Sequence, residues 1–296
     1  MKPYSWAITA AILSSVLSSL DWIFRQQSIR DLSPLVCAAF LNVFGSIAVF
    51  LILRHKERLP ALEKIKQNFK SILHVAFFRT IFASVVFSYV MTMSDGTKLM
   101  FLTKLEPYLV IFWSWVLLNT RPQISTILLL AVQILGTFLL STSGNLEWSK
   151  SQLGDLIAVC ALIVVSYGYR PATKLALNLG ALSSNLATMT VAAIVLLPFA
   201  ITFSPAPFWE LPLRGWAYLL VSVLSFQVVG LSLWFVALKS LDGWVVSALR
   251  AIGPLIATGI TFLFFGQTLD SIQLTGGALV LASCAAIAWD QKGRSV

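Results

Sequence analysis

Long apolar segments alternate with short polar ones along almost the whole chain. Each apolar segment is about 20 residues long, which is the length that an α-helix needs to cross the hydrocarbon core of a bilayer. The predicted spanning segments are residues 4–24, 34–53, 71–93, 98–118, 124–142, 153–170, 183–203, 214–237, 243–265 and 271–289. The pattern therefore predicts an all-α polytopic membrane protein with ten transmembrane helices.

The first apolar segment follows Met1 and Lys2, as a signal peptide would. It is long, however, and has no convincing small-residue cleavage site before Asp21, so we interpret it as a membrane helix. Asp21 lies beside Trp22 and Arg25 and is expected to cap the end of this helix at the membrane interface.

Composition supports a membrane protein and argues against several other classes. Hydrophobic residues make up 58% of the chain and charged residues 11%, whereas about a quarter of a soluble domain is charged. The net charge of +9 is typical of basic cytosolic loops and does not indicate nucleic-acid binding. Cys37, Cys160 and Cys284 lie in apolar segments without metal-ligand spacing, so we predict no metal and no cofactor.

The basic residues also predict the orientation of the chain. The polar loop 54–70 holds six of them, and placing it in the cytosol puts both termini there as well. Thirteen Lys and Arg residues then lie on the cytosolic side and five on the other, with Arg25 among the five. This asymmetry agrees with the positive-inside rule. We expect a location in the plasma membrane.

Two stretches, residues 94–118 and 241–265, resemble each other at a constant shift of 147 residues. The matching residues are Asp95-Gly96 with Asp242-Gly243, Leu102 with Leu249, Pro107 with Pro254, and Ala131 with Ala278. The shift divides the chain into residues 1–146 and 147–296, with five helices in each. Since five is odd, the second half must cross the membrane in the opposite direction, an inverted repeat that many secondary transporters use.

Further short motifs accompany these two stretches. In the first half they are Leu32-Ser33-Pro34, Arg79, the aromatic stretch 87–93, and Glu106-Pro107 followed by Leu135-Gly136. In the second half they are the aromatic stretch 233–238, and Gly253-Pro254 followed by Gly266-Gln267 and Gly276-Gly277. In these features the chain resembles the drug/metabolite transporter superfamily, in particular its EamA-type members. The resemblance implies ten helices in two inverted repeats, transport of a small organic metabolite, and a substrate pathway faced by helices three, four and nine. The chain departs from the family at Asn119-Thr120 and Gly266-Gln267, where a Gly-Glu pair is usual, and at Ser18-Ser19, where Trp-Gly is usual.

Two prolines are the first candidates for a functional site. Proline removes a backbone donor and frees the carbonyl four residues earlier, which belongs to Thr103 for Pro107 and to Arg250 for Pro254. Proline is common in membrane helices, but two prolines related by the repeat favour a kink or gate. We predict this role for Pro107, Pro254 and the adjacent Gly253.

Charged residues inside membrane helices are costly and commonly functional. Glu106 is predicted to couple transport to protons, because burial makes a carboxyl group hold its proton more readily. The alternative is a structural ion pair. Lys104 lies two residues away on the opposite helix face and is excluded as the partner, whereas Arg79 or Arg250 from another helix is suitable.

The intramembrane bases Arg79, Lys104 and Arg250 outnumber the one deeply placed acid, Glu106. Unpaired buried cations are costly, so we predict an anionic or zwitterionic solute bound partly by a forked contact with Arg250. Alternatively, Glu106 pairs with one base while the others reach the interface, and the solute is neutral or cationic. The aromatic residues predicted to line the pathway are Tyr89, Tyr108 and Trp234.

We therefore predict a secondary transporter of a small organic solute, with the lipid bilayer as its environment and protons as candidate coupling ions. Both a monomer and a homodimer fit the sequence. A sugar-phosphate or nucleotide-sugar exchanger of an organelle is one alternative, although no transit peptide precedes the first helix. An intramembrane enzyme is disfavoured because HExxH, GxSxG and paired aspartates are missing from the sequence. A non-transporting scaffold would not require charges beside prolines.

Overall fold

The computed structural model describes residues 3–94, 99, 102–119, 123–142, 152–256 and 270–294. Its main helices, labelled in chain order, are α1 (Pro3–Leu32), α2 (Pro34–His55), α3 (Phe69–Met93), α4 (Glu106–Leu118), α5 (Ile124–Thr142), α6 (Leu153–Leu179), α7 (Ala181–Phe203), α8 (Leu213–Leu238), α9 (Gly243–Ile256) and α10 (Ser271–Arg294). Within these ranges the chain is helical with short connections. The predicted fold class, an all-α polytopic membrane protein, is confirmed.

Seven of the described helices are long and apolar enough to cross a membrane, and α5 and α9 are shorter apolar helices. The loop predicted over 54–70 contains a short helix, Leu62–Gln67, before α3 begins. The Asp95-Gly96 turn, the 146/147 boundary and Gly266-Gln267 lie outside the described residues.

The first helix is longer than predicted. It was expected to end near residue 24 but continues to Leu32, so Asp21 does not cap its end. Hydropathy falls after Phe24, yet polar residues that follow have partners on α8. Ser28 donates to the Gly215 carbonyl, and Asp31 accepts two hydrogen bonds from Arg214. These contacts allow the helix to continue to Leu32. It ends there because Pro34 disfavours helical backbone at the preceding residue, Ser33.

Helical irregularities recur at the 147-residue shift. A π-helical segment interrupts α3 at Ala76–Ile81, and another interrupts α8 at Val223–Gly230. The 3₁₀ turns Thr103–Leu105 and Arg250–Ile252 precede the two prolines. Such irregular turns commonly mark functional positions in helices, and here they surround one region of the interior.

The connections between helices follow the same shift. Ser33 joins α1 to α2 with φ of 77°, and Gly180 joins α6 to α7 with φ of 83°. This left-handed backbone is strained for most residues and easy for glycine, so the same tight corner is built twice.

The helices pack in pairs that respect this repeat: α2 with α7, α4 with α9, α5 with α10, and the corresponding pairs α1 with α8 and α3 with α6. The α5–α10 contact is close because both helices present glycine. A Cβ atom at Gly276 would lie 2.4 Å from the backbone nitrogen of Leu140, and one at Gly136 would lie 2.8 Å from the Gly276 carbonyl oxygen. Small residues allow such close contact between membrane helices.

Candidate functional site

A cavity of about 150 Å³ lies among α1, α3, α4, α6, α7, α8 and α9. Its walls combine aromatic rings, hydroxyl groups and six charged side chains. The charged residues among its described lining are Asp21, Arg25, Arg79, Lys104, Glu106 and Arg250. Four formal cations therefore face two formal anions in a chain that spans a membrane.

Glu106 accepts hydrogen bonds from three side chains and forms a longer ion pair with a fourth, and these four residues lie on three other helices. Arg79 Nη1 lies 3.3 Å from Oε1, while the Tyr169 hydroxyl and Ser247 Oγ each donate to Oε2 at 2.9 Å. Arg250 Nη1 forms an ion pair with Oε2 at 3.9 Å. We call these five residues the Glu106 cluster. Both alternatives named for the partner of Glu106, Arg79 and Arg250, are present together.

Arg79 is also held by aromatic rings. Its Cζ lies 4.3 Å from the ring centroid of Tyr169 and 4.1 Å from that of Trp234, and these two rings pack edge to face. A guanidinium over an aromatic face is attracted by the ring quadrupole, more strongly where water is excluded. Trp234 is 1% exposed. The Glu106 cluster therefore joins α3, α4, α6 and α9, and the contact of Arg79 with Trp234 adds α8.

Lys104 donates a hydrogen bond to the backbone carbonyl that Pro254 leaves without its helical donor. Its Nζ donates to the Arg250 carbonyl at 3.3 Å, and Ser15 Oγ donates to the same oxygen at 2.6 Å. Since Pro254 has no N–H, this carbonyl lacks its ordinary helical donor. Ser19 Oγ similarly donates to the Gly253 carbonyl at 3.0 Å. These polar contacts fasten α1 to α9 beside the cavity.

Asp21 and Arg25 form a second buried ion pair in the same cavity. The pair is local to α1, with Arg25 Nη2 at 3.1 Å from Asp21 Oδ2, and Asp21 is 0% exposed. Ser222 Oγ on α8 donates to Asp21 Oδ1. We call these three residues the Asp21 cluster. Arg25 was assigned to a loop from the sequence; because α1 continues past it, it lies in the interior instead.

A second cavity, of about 600 Å³, lies among α4, α6 and α9. Arg170 and Lys174 contribute to its lining, as does the ring of Tyr169. The Tyr169 hydroxyl meanwhile reaches Glu106 in the first cavity. Tyr169 thus stands between the two cavities, and the Glu106 cluster separates them.

The structure brings most of the predicted site residues together. Arg79, Lys104, Glu106, Trp234 and Arg250 line the first cavity. Gly253, Pro254 and Pro107, which were predicted to form a kink or gate, are buried near it.

Two predicted aromatic residues lie elsewhere. Tyr89 is 42% exposed near the end of α3, and Tyr108 packs on the partly buried side of α4; neither lines the first cavity. Helical position explains this, because neighbours of a functional residue in sequence point to other faces of the helix.

Sequence reasoning missed several residues of the site. Tyr169, Ser247, Asp21, Arg25 and Ser222 all contribute, and none was proposed as a ligand. One available signal was the 147-residue shift: it relates Trp22 to Tyr169, and Phe87 to Trp234. Applying the shift to aromatic residues would have identified Tyr169.

The family scan matches the EamA-like transporter family twice, over residues 5–142 and 152–289. The chain belongs to the EamA-like transporter family. Its two matched segments cover most of the 296 residues, and the members of this family are membrane transporters. The protein is therefore an integral membrane protein of the transporter class.

No curated protein gives a significant match to the sequence. A solved structure described only as "Crystal structure of protein" is similar in fold, with a TM-score of 0.77 over 97% of both chains and 14% sequence identity. At that identity the similarity shows the fold alone.

Proposed function

We propose that this protein is a secondary transporter that moves a small organic anion through its central cavity by alternating access. The observation that carries the proposal is the charge of the first cavity. Its described lining holds four cationic side chains and two carboxylates. Uncompensated cations inside a membrane protein are costly, and an anionic solute would offset the excess.

Arg250 is placed to recognise such a group. One of its nitrogens is near Glu106, Nη2 donates to Ser18 Oγ at 3.2 Å, and Nε has no hydrogen-bond partner among the described residues. Lys104 lies nearby, and its acceptor in the described part of the chain is a carbonyl rather than a carboxylate. A carboxylate or phosphate accepts two bonds from the planar guanidinium fork.

The size and walls of the cavity favour a compact solute. A volume of about 150 Å³ equals that of a protein cavity known to hold benzene. Trp22, Phe87 and Phe226 contribute aromatic surface to the same walls. We infer a solute with one anionic group and a small apolar or aromatic body.

We further propose that both termini and residues 54–70 face the cytosol of a plasma membrane, as the Lys and Arg distribution favours. The second cavity, with Arg170 and Lys174, would then be the cytosolic entrance. Impermeant thiol labelling of Lys64→Cys and Glu147→Cys in a cysteine-free protein tests this. Labelling of position 64 from outside, with position 147 protected, would contradict the orientation.

The binding test compares benzoate with benzamide, its uncharged amide. Purified protein should bind benzoate and not benzamide, as measured by thermal shift and calorimetry. Arg250→Lys should weaken benzoate binding about 10- to 100-fold, because a charged hydrogen bond contributes roughly 1.5–3 kcal/mol. Arg170→Lys, in the second cavity, is the matched control and should bind benzoate normally.

The alternative is a neutral or cationic solute with the charges serving structure, which the pairing of Glu106 with Arg79 and Arg250 favours. Under that alternative, benzamide binds as well as benzoate, and Arg250→Lys has no effect on either. Those results would contradict the anion proposal.

A further inference from the structure

The Asp21 cluster has features of an exchangeable ion pair rather than a fixed one. Both charged members lie in α1 one helical turn apart, so breaking the pair separates no helices. Arg25 is 7% exposed and lines the cavity, yet its Nε has no hydrogen-bond partner among the described residues. Arg25 therefore has a donor to spare in the same cavity as Arg250, and it is suited to bind the anionic group of the solute together with Arg250.

We propose that Asp21 couples solute binding to proton uptake: the solute anion takes the Arg25 guanidinium from Asp21, and Asp21 then binds a proton. This inference rests on the anionic solute proposed above. It assigns the proton to a residue other than Glu106.

The groups that face Asp21 decide whether it can lose its charge. They are Arg25 on its own helix, Ser222 on α8 and Arg250 on α9. The α2 helix contributes the Cys37 thiol, which lies near Arg25, and α3 contributes Ser84, Phe87 and the Arg79 guanidinium to the shared cavity. Lys104 and Glu106 also line this cavity, and the Glu106 carboxylate pairs with Arg79. Asp21 therefore keeps its charge mainly through Arg25, and a buried carboxylate that loses its cation favours the protonated form.

Glu106 is less suited to this exchange. An anion that displaced Arg79 would still leave Tyr169, Ser247 and Arg250 directed at the Glu106 carboxylate. Donors to a carboxylate favour its ionised form. The difference in donor number is therefore the reason to assign the proton to Asp21.

The proposed step balances in charge and in protons. One anion forms an ion pair with Arg25, one proton from solution forms an O–H bond on Asp21, and the cavity charge is unchanged. When the anion leaves, Arg25 pairs again with Asp21 and the proton is released. If the cavity opens first to one side and then to the other, one proton crosses with each anion, and an imposed proton gradient would drive accumulation.

Calorimetry in two buffers of different ionisation enthalpy counts the protons taken up with each ligand. Wild-type protein binding benzoate near neutral pH should take up about one proton per bound anion, as linkage requires for a group that becomes protonated on binding. Asp21→Asn removes the carboxylate that competes for Arg25, so this variant should bind benzoate more tightly than wild type and take up almost no proton. The matched control is Asp155→Asn, another buried carboxyl that accepts a serine hydroxyl, outside the cavity; it should behave as wild type.

Several outcomes would overturn the proposal. Wild-type binding without proton uptake contradicts it without requiring any variant to fold. Undiminished uptake by Asp21→Asn, or loss of uptake in Glu106→Gln alone, assigns the proton elsewhere. If wild-type protein binds neither benzoate nor inorganic phosphate, or binds benzamide as well as benzoate, the anion site itself fails, which is a failure of the proposed function.

Discussion

The Glu106 and Asp21 clusters each stabilise a charged carboxylate inside a membrane protein, but they do so with different numbers of partners. Each carboxylate pairs with an arginine that also lies near an aromatic ring. The Cζ atom of Arg79 is 4.1 Å from the centroid of the Trp234 ring, and that of Arg25 is 5.7 Å from the centroid of the Trp22 ring. The first cluster draws donors from three other helices. The second uses its own helix and one hydroxyl from α8.

The 147-residue shift relates aromatic residues beside the two clusters to each other, but it does not relate their charged residues. Trp22 and Phe87 pack edge to face, as do their counterparts Tyr169 and Trp234. The residue that corresponds to Glu106 is Gly253. Glu106 thus contacts side chains of three other helices, whereas the corresponding position in the second half is a glycine.

Glu106→Gln should have the largest effect. It leaves Arg79 and Arg250 buried without their carboxylate, and removing one partner of a buried pair costs about 3–5 kcal/mol of stability. Asp21→Asn leaves one arginine unpaired and should cost less. Thermal unfolding in detergent, followed by tryptophan fluorescence, measures both. Equal losses would remove the proposed distinction between a fixed and an exchangeable pair.

Tyr169→Phe should have a smaller effect, about 1.5–3 kcal/mol, because it removes one hydrogen bond to a charged group. The control Tyr4→Phe removes a hydroxyl that donates to the neutral Ala288 carbonyl, and it should cost roughly 0.5–1.5 kcal/mol.

The same pair of variants tests whether Tyr169 separates the two cavities. With Thr80→Cys as a reporter in the first cavity, Tyr169→Phe should speed labelling by an impermeant reagent applied to the face bearing residues 54–70. Tyr4→Phe should leave the rate unchanged. Equal labelling rates in the two variants would show that Tyr169 is not the barrier.

Arg79→Lys should have the smallest effect on stability, about 0.5–2 kcal/mol, because lysine keeps the charge beside Glu106 and loses the planar contact with Tyr169 and Trp234. Arg25→Lys should cost less still, because the distance from Arg25 Cζ to the Trp22 ring is longer, at 5.7 Å. Unfolding midpoints of the two variants compare these effects. A larger loss for Arg25→Lys would show that the second arginine is the more tightly held.

Much of the fold could be predicted from the sequence because a bilayer permits few kinds of backbone structure. Backbone groups in hydrocarbon must bond within a helix, so apolar segments of sufficient length reveal the helices. Charges such as Glu106 and Arg250 are conspicuous in such segments, and the matched prolines indicated the repeat. These local features determined the fold class and most of the charged cavity lining.

The tertiary structure decided which side chains meet. The end of α1 depended on Gly215 and Arg214, both distant in sequence, so Asp21 could not be placed inside from hydropathy alone. Tyr169 and Ser247 resemble ordinary helix residues until packing directs both at Glu106. A hydrogen bond depends on distances of a few ångströms between helices, and sequence periodicity specifies the face of a helix but not its neighbour.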